Sequence, residues 1–74
     1  MATKVTKDLI VIIEDEKPAN LEVRQSLEDT IRRAKLVRSI IPPGKADVFV
    51  LPIYYGNPPK VEYYSLSVRY IQNK

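Results

Sequence analysis

The sequence predicts an α+β domain: a β-α-β-β chain whose three-stranded sheet, in the order 2-3-1, carries one helix on one face. Three observations predict it. A β-branched run, Leu9-Ile10-Val11-Ile12-Ile13, stands near the N-terminus, and such residues fit a pleated surface. Residues 18–40 repeat apolar side chains at three- and four-residue steps, the period of an amphipathic helix. Two further strand-like runs flank the turn Gly56-Asn57-Pro58-Pro59.

The first strand is expected over residues 7–14. Leu9, Val11 and Ile13 point one way, Ile10 and Ile12 the other. A strand with one wet face alternates apolar and polar residues, so this one expects cover on both sides. The helix follows. Val23, Leu27, Ile31, Ala34, Val37 and Ile41 share one face. Asp15 or Asn20 suits its N-cap and Pro18 its first turn. Pro42 ends it, because the residue before a proline avoids the α region. Glu28–Arg32 and Asp29–Arg33 are acid-first pairs four apart, each worth a few tenths of a kcal/mol.

Residues 42–45 form a stiff turn, and the second strand follows over residues 47–55. Pro52 cannot donate to a ladder, so this strand is assigned to a sheet edge. The third strand, residues 61–71, alternates cleanly. Tyr64, Leu66, Val68 and Tyr70 face one side, Tyr63, Ser65, Ser67 and Arg69 the other. These assignments give the order 2-3-1, with the helix crossing over the third strand. Residues 1–6 are left as a flexible arm.

At 74 residues the chain reads as a single domain, residues 1–74, with a thin core. It has no Cys and no His, which removes disulfides and the common zinc sites as supports. Self-association is the remaining source of buried area. No apolar run nears the ~20 residues that span a bilayer, and the N-terminus lacks a signal-peptide pattern. The expectation is a cytoplasmic, intracellular protein of cellular, viral or plasmid origin, without membrane contact. A net charge of +3 and a pI near 9.3 permit nucleic-acid binding and do not require it.

The residue inventory speaks against catalysis. Without His or Cys the usual nucleophile–base pairs cannot form, and neither Gly44 nor Gly56 belongs to a phosphate loop. Glu14-Asp15-Glu16 reads as an acidic helix approach favoured by the helix dipole. No catalytic residue, metal ligand or cofactor is assigned. Leu9-Ile10-Val11-Ile12-Ile13-Glu14-Asp15-Glu16-Lys17-Pro18-Ala19-Asn20 resembles the opening of a response-regulator receiver domain, and Ala46-Asp47-Val48-Phe49-Val50-Leu51-Pro52-Ile53 resembles its phosphoacceptor strand. The phosphoacceptor position is Pro52 here, and the chain is too short for a five-stranded doubly wound sheet. The likeness therefore implies a shared strand-then-helix grammar and no phosphoryl transfer.

Two functional expectations follow. The first is a small protein-interaction or assembly module, non-enzymatic and homodimeric through Leu9, Ile10, Val11, Ile12 and Ile13, because a two-faced apolar strand under one helix needs a second cover. Tyr63, Arg69 and the 56–59 turn would meet a protein partner. The alternative is a DNA- or RNA-binding protein. Arg24, Lys35, Arg38, Lys45, Lys60 and Arg69 would take phosphates, with Tyr55 or Tyr63 on bases.

Overall fold

The computed structural model describes residues 2–72. Five elements follow one another: β1 (Ala2–Val5), β2 (Ile10–Glu14), α1 (Leu21–Ile40), β3 (Ala46–Tyr55) and β4 (Lys60–Tyr70). The strands form one mixed sheet in the order β1-β2-β3-β4. β1 and β2 are antiparallel, β2 and β3 parallel across the α1 crossover, and β3 and β4 antiparallel.

The α+β class and the single helix stand, but the three-stranded sheet in the order 2-3-1 does not. Residues 2–5, read as an arm, are a strand that pairs Val5 with Val11 and Ala2 with Glu14. The apolar run is consequently an inner strand, bonded on both edges. The second strand of the sequence reading, β3, is also internal. The misassignment came from Pro52, and hydrogen-bond parity explains how an inner strand carries it. The Tyr64 N–H donates to Ser26 Oγ at 2.9 Å, and its carbonyl accepts from Thr30 Oγ1 at 3.1 Å. Both groups therefore point away from β3, which makes Pro52↔Tyr64 a pair without mutual hydrogen bonds. The ring nitrogen of Pro52 then faces the β2 side, past Ile12↔Val50, the last β2–β3 pair. Pro52 sits on a local edge of an otherwise central strand, so no ladder bond is lost.

One face of the sheet carries the core. Ile10, Ile12, Val48, Val50 and Tyr64 are buried against Val23 and Ala34 of α1, with Leu27, Ile31 and Val37 packed around them. The apolar stripe read from the sequence is thus the packed face of the helix. Thr30, also buried, lies within it. β3 and β4 slip register between Ile53 and Tyr54, where Tyr54 pairs with Val61. The bulge at Glu62 brings both Val61 and Tyr64 to the core side.

The helix ends are closed by side chains. Asn20 Oδ1 accepts the Val23 N–H at 2.8 Å, so Asn20 is the N-cap. Asp15 instead accepts from the Lys17 N–H at 3.0 Å, closing the turn that leaves β2. Ile41 turns extended (φ −100°, ψ 123°) ahead of Pro42. Arg32 pairs with Asp29 at 3.6 Å, three residues away instead of four, and both side chains are mostly exposed, so the pair contributes little. Between β1 and β2 the chain turns through Lys7-Asp8-Leu9. The Leu9 N–H donates to the Thr6 carbonyl at 3.0 Å, and Leu9 adopts φ 63°. This is a turn closed by a left-handed residue, the position that usually takes glycine.

Candidate interaction surface

The other sheet face is the candidate surface. Strand parity places Val5 of β1, Val11 and Ile13 of β2, and Phe49, Leu51 and Ile53 of β3 opposite the helix. Val5, Val11 and Phe49 form one cross-strand row, which Ser67 of β4 completes. Tyr63 lies across from Ile53, and Asp47 across from Arg69 at the far end. The inner residues of this face are half-buried by sheet neighbours alone, because among the described residues α1 is the only helix and it packs on the opposite side. The result is an apolar strip across β1, β2 and β3, bordered by hydroxyls and one opposite-charge pair on β4.

The expected self-association residues divide by parity. Ile10 and Ile12 lie under α1, 0% and 4% exposed, and are core. Val11 and Ile13 point to the open face. Leu9 is exposed in the turn. Edge pairing through this strand is closed, since β1 and β3 occupy both its edges.

The expected partner contacts do not converge. Arg24 and Lys60 line a cleft of about 560 Å³ between the N-terminus of α1 and the β3–β4 turn, with Glu14, Asp15 and Glu16 on its other wall. Lys35 lies on the outer flank of the helix beside Arg32 and Arg33. Arg38 is spent within the fold: its guanidinium donates to the carbonyls of Ala46 (2.7 Å), Ile41 (2.9 Å) and Pro42 (3.2 Å). It ties the helix C-terminus to the start of β3, so it is a cap and a strut. Lys45 precedes β3, and Arg69 stands near the end of β4. From Lys60 to Arg69 is nine residues of strand, about 30 Å at the usual rise. Tyr55 projects at the tip of the β3–β4 ribbon and Tyr63 borders the open face.

Sequence reasoning missed Ser26 and Thr30, whose hydroxyls hold the edge of β4. The only available signal was a polar residue, Thr30, set within an apolar stripe. It also missed a cluster at the end of β2. The Asp15 N–H donates to the Tyr64 hydroxyl oxygen at 3.3 Å. The Lys17 N–H, together with the Tyr54 hydroxyl, holds the Asp15 carboxyl below its usual range. Burial, then the Asp15 charge, push Tyr54 above its ordinary 10.0. Burial pushes Tyr64 the same way, with the Glu14 and Asp15 charges adding to it. A tyrosine whose folded value is raised stabilises the fold below its unfolded value, and that contribution is lost as pH rises through the folded one. Stability is therefore expected to fall as pH climbs above 10. Absorbance titration of wild type against Tyr54→Phe and Tyr64→Phe should assign ionisation above 10 to these two side chains, and either one ionising at or below 10 would contradict this. The Asp15 contribution has the opposite sense, present above its unfolded value and lost as pH drops through the lower folded one.

No helix among the described residues is long and apolar enough to cross a membrane. Nor does any group of three or more acidic side chains among them converge as a metal site would need. No family model matches the chain, and no curated protein or solved structure matches it either.

Proposed function

We propose that the chain is a small non-catalytic interaction and assembly module that works as a homodimer, formed by stacking the open sheet face on that of a second copy. The observation that carries this reading is the strip of Val11, Ile13, Phe49, Leu51 and Ile53, apolar and without cover from any described element. The five side chains are half-buried by their sheet neighbours and keep an open side, and contiguous apolar surface of that kind marks an interface. Area favours the same occupant. β3 and β4 run about 33 Å and β1 and β2 about 15 Å; at ~4.8 Å per strand the face covers roughly 450–500 Å². Two such faces remove about 1,000 Å² together, the lower bound for a specific interface. A self-complementary stack also sets apolar strip on apolar strip and hydroxyl border on hydroxyl border. The 56–59 turn, at the ribbon tip beyond the counted strands, is left for a further protein partner.

Phe49→Lys tests the reading. Phe49 sits mid-strip on an inner strand but outside the core, so the variant keeps its helix content while its mass in light scattering falls below that of the wild type at the same concentration. A variant that keeps the wild-type mass contradicts the stacked face. Nucleic-acid binding is the competing reading, and it has less support because its basic residues are dispersed and Arg38 is internally bonded. Salt-sensitive retardation of mixed DNA or RNA by the wild type would favour it instead.

A further inference from the structure

The edge of β4 is satisfied along only half of its length. The Ile71 N–H donates to the Lys45 carbonyl at 3.0 Å. Odd-numbered residues after the bulge therefore turn their backbone groups toward β3, and even-numbered residues turn theirs outward. Tyr64 obeys this rule, with its outward N–H and carbonyl taken by Ser26 and Thr30. Beyond it α1 leaves the edge. It grips β4 at Ser26 and Thr30 and then heads for the start of β3, where Arg38 bonds the Ala46 carbonyl. Among the described residues no partner takes the outward groups of Leu66, Val68 and Tyr70. Side-chain cover fades along the same path, from Tyr64 at 3% exposed to Tyr70 at 72%. A bare edge of this kind is a template for another strand.

We infer that β4 adds to β4 of a second copy, antiparallel, about a two-fold axis at Val68. The register follows from the molecule. Outward-pointing residues must face one another across such a junction. With the axis at Val68, Leu66 meets Tyr70 of the second copy, Val68 meets its equivalent, and all three outward residues pair. Moving the axis to Ser67 would bring Tyr70 opposite Tyr64, whose groups Ser26 and Thr30 already hold. Moving it to Arg69 would set the two arginines face to face, which is destabilising. The Val68 axis places each Arg69 opposite Ser67 of the second copy, while Asp47 flanks it on its own β3. It also lays Leu66 over the uncovered Tyr70 ring. The junction joins two four-stranded sheets into one of eight strands. It rests on the backbone of β4, not on the open face. Both contacts are isologous and use different parts of the subunit.

Residue-resolved amide exchange on the full chain tests the junction, with Ser67→Glu and Ser67→Arg as the variants. In concentrated wild-type protein the Leu66, Val68 and Tyr70 amides should exchange about tenfold or more slowly than in dilute protein, while Ser65, Ser67 and Arg69 stay protected throughout. In the Phe49→Lys background, which removes the stack, Ser67→Glu, facing Arg69 of the second copy, should tighten association about two- to fivefold at low salt, and Ser67→Arg should weaken it by a similar factor. A stack of open faces alone would be weakened by either charge, since Ser67 also borders that face. Phe49→Lys should leave the concentration-dependent protection of the three amides in place, which separates failure of this junction from failure of the stack. Rapid exchange of all three at every concentration, or loss of association in both Ser67 variants, would overturn the junction.

Discussion

Ile10→Lys is expected to lower the stability of the fold by several kcal/mol, whereas Val11→Lys, one residue later, leaves it nearly unchanged. Ile10 is fully buried beneath α1 and pairs with Val48, itself fully buried. Among the described residues no acidic side chain belongs to the core cluster around it, so a lysine there is a buried charge without a partner. Such a charge costs about 3–5 kcal/mol. A domain of this size is stable by only about 4–11 kcal/mol, so the loss removes between about a quarter of its margin and all of it. Val11 points to the opposite face, where a lysine can carry its ammonium to water. Circular dichroism and a denaturant midpoint check both variants. An Ile10→Lys protein with a wild-type midpoint would mean that the helix does not cover this face.

The second large effect is expected from Ser26→Ala combined with Thr30→Val. Ser26 Oγ accepts the Tyr64 N–H at 2.9 Å. Thr30 Oγ1 lies 2.7 Å from the Ser26 carbonyl and 3.1 Å from that of Tyr64. The hydroxyl has one hydrogen for these two acceptors, and it also accepts from the Arg33 guanidinium at 3.3 Å. Removing both hydroxyls strands the N–H and carbonyl of one buried residue on an edge strand. Each unsatisfied group costs about 1–3 kcal/mol. The two share Tyr64, so their effects do not add simply, and a combined loss of about 2–4 kcal/mol is expected. Chemical denaturation measures it, with Ser65→Ala as a control expected within about 0.5 kcal/mol of wild type. A double variant as stable as that control would mean that the helix does not hold β4 through these bonds.

The legible and illegible parts of the fold follow from how side chains advertise their surroundings. The helix face was legible because Val23, Leu27, Ile31, Ala34 and Val37 repeat at the helical period, and its end because Pro42 forbids continuation. The two-faced nature of β2 was legible in five consecutive apolar residues. Which of its faces the helix takes was not, since Ile10 and Val11 are equally apolar and only tertiary packing chooses between them. β1 was illegible because Ala2-Thr3-Lys4-Val5 is short and exposed throughout, with no alternation to read. The strand order failed on Pro52, a proline that reports a local edge and was read as a global one. The open face was half legible: Val11 and Ile13 belong to it as the two-faced strand required. Its larger part comes from Phe49, Leu51 and Ile53, whose exposure depends on the helix lying on the other side.

The proposed stacked assembly rests on one apolar sheet face that no described element covers. The absolute mass in solution, followed by light scattering across a dilution series, tests that most directly. A mass of at least twice the 8.5 kDa chain is expected, with a lower mass at the same concentration when Phe49 becomes lysine. A wild-type mass of 8.5 kDa that does not change as concentration rises would contradict it.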